Sequence, residues 1–206
     1  MAINDNDIRV RRTKKLLRHG IAELGKTKSI HKITVKELTD LVEINRGTFY
    51  LHYKDVYDLV DSVEDELCEE FDQTVLAVTP EDILHRPIDV LETFFEYFRT
   101  HKDIIGVLMG ENGDAKFVYR FGQLMNTKIV EIFKGVFPNM SMEKYDFAYN
   151  YGKFGLIGIL NCWSAQYTHF SSREIAEKAL SLILGGLWGI IGDEAKEVLL
   201  NAHNSH

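Results

Sequence analysis

Two helix starts, at Thr34 and Asn45, stand so close that almost nothing lies between the helices they open. Thr34 and Glu37 form the pattern T-x-x-E, in which hydroxyl and carboxylate cap each other's backbone N–H. Ile33 and Leu38 occupy staple positions around that cap. Leu38, Leu41 and Val42 supply the buried side of a helix over 34–42. Asn45 caps the next helix, with Ile44 and Phe49 as its staple. Only Glu43 and Ile44 separate the two. Helices joined so tightly cannot lie antiparallel and must cross steeply, which is a helix-turn-helix. A helix over 8–25 precedes them, with Val10, Thr13, Leu17, Ile21 and Leu24 on one stripe and most of its basic residues off it.

Charge sets this head apart. Residues 1–54 hold 12 Lys+Arg against 6 Asp+Glu, a net of +6, while residues 55–206 hold 12 against 25, a net of −13. A basic head on an acidic body points the head toward a polyanion. From Asp55 to His85 there are 11 acids and no Lys or Arg. Phosphates would repel that stretch along most of its length and accept only its N-terminus.

The rest of the chain reads as helices. Val56, Leu59, Val63, Leu67, Phe71 and Val75 keep helical period over 55–78, a connector out of the head. The stretch "TPEDILHRP" carries two of the three prolines and reads as a boundary near 79–87. Helices follow over about 88–100, 102–109, 115–135 and 143–168, with turns at "GENGD" and "GVFPNMS". Ser171 and Glu174 form another capping box, opening a helix to about Ile191 that Gly192 stops. The expected class is all-α, with a head over 1–54 and a body over 55–206.

Other classes find little support. The longest uncharged apolar run, Ala179 to Ile191, is 13 residues, too short to span a bilayer. The N-terminus lacks the apolar stretch of a secretory signal. Cys68 and Cys162 sit in separate helices and read as reduced packing thiols. A cytoplasmic protein without a membrane role is expected. H-E-x-x-H, G-x-S-x-G, Walker and C-x-x-C patterns are missing, and the eight histidines are scattered. Neither an enzyme nor a metal or cofactor site is expected.

The segment "NRGTFYLHYKD" carries the chemistry. On a helix capped by Asn45, the first turn presents backbone N–H groups that attract phosphate. Arg46 can reach guanine edges in a major groove. Gly47 lets backbone approach a base or sugar-phosphate closely. Thr48, Tyr50, His52 and Lys54 are phosphate donors, while Phe49 and Tyr53, four apart, anchor the opposite face. The helix is expected to run about two and a half turns.

The longer stretch "ITVKELTDLVEINRGTFYLHYKDVYDLV" resembles the helix-turn-helix of the TetR family of transcriptional regulators, strongly over 33–60 and weakly over the first helix. The resemblance implies an all-helical homodimer with a three-helix DNA-binding head, a connecting helix, and a divergent ligand-binding body. It places Thr34 at a phosphate of double-stranded DNA, and Lys36 and Arg46 near bases. Two positions depart from the pattern. Glu43 stands where the family usually has glycine in the turn, at about 1 kcal/mol for a left-handed backbone. Val56 stands where a lysine is common. The form of 45–55 is also similar to the subgroup containing dihydroxyacetone kinase regulators, some of which act as coactivators.

The resemblance further implies that the last two long helices form a four-helix dimer bundle. Small and aliphatic residues fit that role: Gly152, Gly155, Ile159 and Cys162 on the first, Ile183 and Leu187 on the second. It implies an effector pocket among the large residues Phe95, Phe98, Phe121, Met125, Phe154 and Trp163. The expected function is a ligand-responsive repressor, binding a near-palindromic operator as a dimer and released by a small hydrophobic effector. The rival is a TetR-fold coactivator acting mainly through protein contacts.

Overall fold

The computed structural model describes residues 5–186, and every regular element among them is helical. The helices are α1 (Asp5–Gly25), α2 (Val35–Leu41), α3 (Arg46–Tyr50), α4 (Val56–Thr74), α5 (Pro80–His85), α6 (Pro87–Thr100), α7 (Lys102–Leu108), α8 (Ala115–Val136), α9 (Met142–Gln166) and α10, residues 172–186. A 3₁₀ turn at Ile30–Lys32 leads into α2. The fold is all-α, with a helix-turn-helix made by α2 and α3. The expected helix to Ile191, its stop at Gly192, and Leu187 fall wholly or partly outside the described residues.

The chain divides into two compact units that are discontinuous in sequence, residues 1–69 with 101–122 and residues 70–100 with 123–206. In the first unit α1 packs on α2 and α7. Leu17, Ile21, Leu38, Phe49, Leu59, Leu67, Leu108 and Phe117 are fully buried there. Gly20 permits the close α1–α2 crossing, because a Cβ would stand 2.5 Å from Leu38 Cδ1 and 2.8 Å from Val42 Cγ1. Arg18 Nη2 donates to His101 Nδ1 at 2.6 Å, tying α1 to the start of α7. The Ile30 N–H donates to the Asn112 carbonyl at 3.1 Å, which holds the 3₁₀ turn to the "GENGD" loop.

The second unit is built on aromatic packing. Phe71 meets Phe94, Tyr97 and Phe98 with ring centroids 4.9–6.5 Å apart. Phe95 meets Trp163 edge-on at 5.6 Å. Trp163 Nε1–H donates to the Phe170 carbonyl at 3.0 Å. The Ser171–Glu174 capping box forms as expected, with Ser171 N–H donating to Glu174 Oε2 at 2.8 Å. "TPEDILHRP" corrects the sequence reading. It is a helix, α5, with Thr79 and Asp82 as its capping box and Pro80 in the first turn. Aspartate does there what the T-x-x-E pattern assigns to glutamate, and proline suits a first turn whose N–H needs no partner.

Candidate nucleic-acid interface

The interface is built from its caps upward. Thr34 Oγ1 accepts from the Glu37 N–H at 3.2 Å, and Glu37 Oε2 accepts from the Thr34 N–H at 3.0 Å. Lys28 Nζ donates to Glu37 Oε1 at 2.6 Å, and this bond, with those from Thr34, lowers the carboxyl to about 2. The Thr34 hydroxyl proton also goes to Glu37 Oε2, at 2.7 Å. The donor expected at a phosphate is therefore held within the cap.

The turn contains the strained residue that the resemblance implies. Glu43 adopts φ 55°, the left-handed region that favours glycine. Asn45 then caps α3, its Oδ1 accepting from the Gly47 N–H at 2.7 Å. Two expectations about α3 need correction. The helix has five residues and does not run on to Lys54. The N–H groups of His52 and Tyr53 both turn back to the Phe49 carbonyl, and the Lys54 N–H is taken by Asp58 Oδ2 at 2.9 Å. Nor is the start of α3 an open anion site, because the Gly47, Thr48 and Phe49 amides are already bonded to Asn45. The same holds at α4, where Asp55 Oδ1 accepts from the Asp58 N–H. Carboxylates occupy the helix end that phosphate would use.

Anchor and contact faces separate cleanly. Phe49 and Tyr53 are buried with ring centroids 5.9 Å apart. Lys36, Asn45, Arg46, Gly47, Tyr50 and Lys54 are exposed with Thr34, while Thr48 and His52 are half-buried. The Lys36, Arg46 and Lys54 side chains form no ion pair with another described residue. Neighbouring Lys14, Lys26 and Lys28 are paired with Glu66, Glu23 and Glu37. Two neighbours lie outside the sequence expectation. Tyr57 stacks on His31 at 5.7 Å and donates its hydroxyl to the His31 carbonyl, and Leu51 is 80% exposed. Leu51 was legible only as an aliphatic side chain four residues after Gly47 on an otherwise polar face.

Known proteins share this fold. Residues 86–185 match the TetR family model described as the transcriptional regulator C-terminal region. An uncharacterized HTH-type transcriptional regulator, YxbF of Bacillus subtilis (strain 168), is 19% identical over 170 residues, 81% of this chain. The chain spans 43% of that relative's length. The crystal structure of a TetR transcriptional regulator from Streptococcus agalactiae 2603V superposes with a TM-score of 0.51 at 20% identity, covering 86% of this chain and 97% of the other. A tetR-family regulator from Streptomyces coelicolor superposes with a TM-score of 0.59 at 12% identity, covering 99% and 90%. The chain shares the fold of these TetR regulators, and its C-terminal half is similar to their C-terminal region.

The body residues divide. Phe95, Phe98 and Trp163 are packed in the aromatic core of the second unit, and Met125 is half-buried there. Phe121 is buried in the first unit against Phe117 at 5.5 Å. Phe154 departs from the expectation of an inward aromatic. It is 63% exposed on α9, because the helical register puts it with Phe147 and Tyr151, at i and i+4, on the open face. Gly152 and Gly155 fall by register on the side of α9 that carries Ala148, and a Cβ at either would meet nothing within 4 Å. Cys162 is exposed, and Ile159 and Ile183 are half-buried. Among the described residues no cluster of three His, Cys, Asp or Glu could hold a metal, and no helix is long and apolar enough to cross a membrane.

Proposed function

We propose that the chain is a ligand-responsive repressor that binds a near-palindromic operator in double-stranded DNA as a homodimer in the cytoplasm. One observation carries the reading: Lys36 and Arg46 within a doubly capped helix pair, and Lys54 in the bend after it, are exposed, and none is paired with another described residue. Cations left to solvent beside an acidic α4 suit a polyanionic partner. Arg46 would read a guanine edge and Lys54 a phosphate. Selection of duplexes from a randomised pool, followed by gel shift, tests the reading. Arg46→Ala is expected to cost about 1–3 kcal/mol on the selected site and to relax specificity at one base pair. Lys54→Ala is expected to weaken all sequences alike and to lower the salt slope by about one. Equal loss on selected and random DNA for Arg46→Ala refutes base reading.

The unroofed glycines of α9, Gly152 and Gly155, support the dimer. Two heads reading one operator need recognition segments about 34 Å apart or a multiple of it, which two-fold symmetry supplies. Gly155→Leu is expected to convert the dimer to monomer, as read by sedimentation equilibrium. An unchanged dimer moves the interface off this face. An apolar or aromatic effector would gain about 25 cal/mol per Å² of apolar surface buried. It acts on DNA only through differential affinity for the two states of the regulator, typically 1–3 kcal/mol.

The second reading is a coactivator working through protein contacts, as in the subgroup that 45–55 resembles. Glu43 favours it, because the turn places a carboxylate beside the recognition segment. Failure of the pool to enrich any duplex selects this reading.

A further inference from the structure

We infer that Leu51 is a specificity residue that reads the C5-methyl group of a thymine in the major groove. The inference rests on the DNA-binding proposal and adds to it a base and a chemical contact. Leu51 is the most exposed of the large hydrophobic side chains among the described residues, at 80%. Single exposed leucines are ordinary on protein surfaces, so exposure alone decides nothing. Its setting does.

The backbone at Leu51 is held firmly. It keeps helical geometry, with φ −71° and ψ −21°, and its N–H donates to the Gly47 carbonyl at 3.2 Å. Phe49 and Tyr53 on either side are buried, which fixes the opposite face inward. Leu51 therefore stands outward on a rigid platform and not at the tip of a loose loop. Helical register gives it Gly47 and Thr48 as same-face neighbours, and Tyr50 precedes it in sequence. Tyr50 is 58% exposed, with its ring edge-on to Phe49 at 5.5 Å. At Gly47 a Cβ would meet only Asn45 Oδ1, at 3.2 Å, so no other residue roofs this face.

A phosphate contact cannot explain the side chain, because leucine has no donor. The other exposed side chains from Asn45 to Lys54, those of Asn45, Arg46, Tyr50 and Lys54, all have one. The apolar feature that a major groove offers is the thymine methyl, which lies on the same floor as the guanine edge assigned to Arg46. One aliphatic group among donors, facing outward beside a glycine, matches that floor.

The test uses the full chain and the duplex selected from the random pool. Each thymine is replaced in turn by deoxyuridine, which removes only the methyl group, and affinity is read by fluorescence anisotropy at fixed salt. Wild type is expected to lose about fourfold at one thymine per half-site, the effect of burying one methyl-sized group. Leu51→Ala is expected to bind the thymine duplex more weakly and to be blind to that uracil. Leu51→Met, of similar volume and apolar, is expected to restore the sensitivity. Because the side chain is exposed, both variants should fold, and unchanged circular dichroism confirms it. Selective binding by wild type that ignores every uracil overturns the role of Leu51 alone. So does a Leu51→Ala protein that keeps the full uracil effect. A pool that enriches no duplex overturns the DNA reading and this role together, and turns the exposed leucine toward a protein partner.

Discussion

Phe49→Ala is expected to cost about 3–5 kcal/mol and to abolish sequence-selective DNA binding while the aromatic core of the second unit persists. The magnitude follows from burial, since Phe49 is fully enclosed and its ring meets Tyr50 and Tyr53 at 5.5 and 5.9 Å. The functional loss follows from the shortness of α3. A five-residue helix has no stability of its own, because fixing the first turn costs more than its few hydrogen bonds return. Two things hold it, the Asn45 cap and the buried Phe49. Removing the ring leaves a cavity and frees Arg46, Tyr50 and Leu51 from a defined geometry. Hydrogen exchange should show lost protection at residues 48–53, and thermal unfolding should shift down by several degrees. Phe49→Leu should fall between the two proteins. Unchanged protection at 48–53 in Phe49→Ala would show that the caps alone hold the recognition segment.

How far the sequence could be read follows from which signals are local. Capping boxes are local, and those at Thr34–Glu37 and Ser171–Glu174 form as the spacing indicates. The left-handed turn at Glu43 was legible through the family resemblance, which puts glycine at that position. The end of α3 was not legible. No glycine or proline stops it, and the stop comes from Asp58, which takes the Lys54 N–H from the following element. Its consequence for function is direct, since Lys54 leaves the recognition helix and stands in the bend before α4. The two faces of α9 were also hidden. Its sequence "MEKYDFAYNYGKFGLIGILNCWSAQ" is apolar nearly all round, so period alone could not say that Phe154 faces outward while Tyr145, Ala148 and Trp163 are buried. The division of the chain into units was beyond any local pattern. Returning α7 and the start of α8 to the first unit is a long-range packing choice.

The unit that holds the candidate interface is expected to lose stability as pH rises through neutrality, and Glu64 is the cause. This α4 residue is 0% exposed, and neither carboxylate oxygen has a hydrogen-bond partner. Burial pushes its carboxyl up to about 7, helped by the charges of Asp114 and Asp61 and opposed by Arg120 and Lys116. Arg120 and Lys116 cannot offset the burial, because they are directed to Asp65 at 2.7 Å and Asp61 at 3.3 Å. The unfolded chain releases this proton near 4.5 and the folded chain near 7. The folded state thus binds the proton more tightly, and its contribution is complete below pH 4.5. That contribution declines as pH rises and is gone once both states are ionised, above about 7. A shift of this size corresponds to about 3 kcal/mol at most across that window. Glu64→Gln keeps the shape and removes the titration. Urea unfolding between pH 5 and 9 should show wild-type stability falling with pH, and a variant with a flatter profile that is the more stable protein at pH 8–9. The variant's advantage should vanish near pH 5, where wild-type Glu64 is protonated in the folded state. If Glu64→Gln follows the wild-type slope, the pH dependence belongs to other groups, and Glu64 is not held in a dry, unpartnered site.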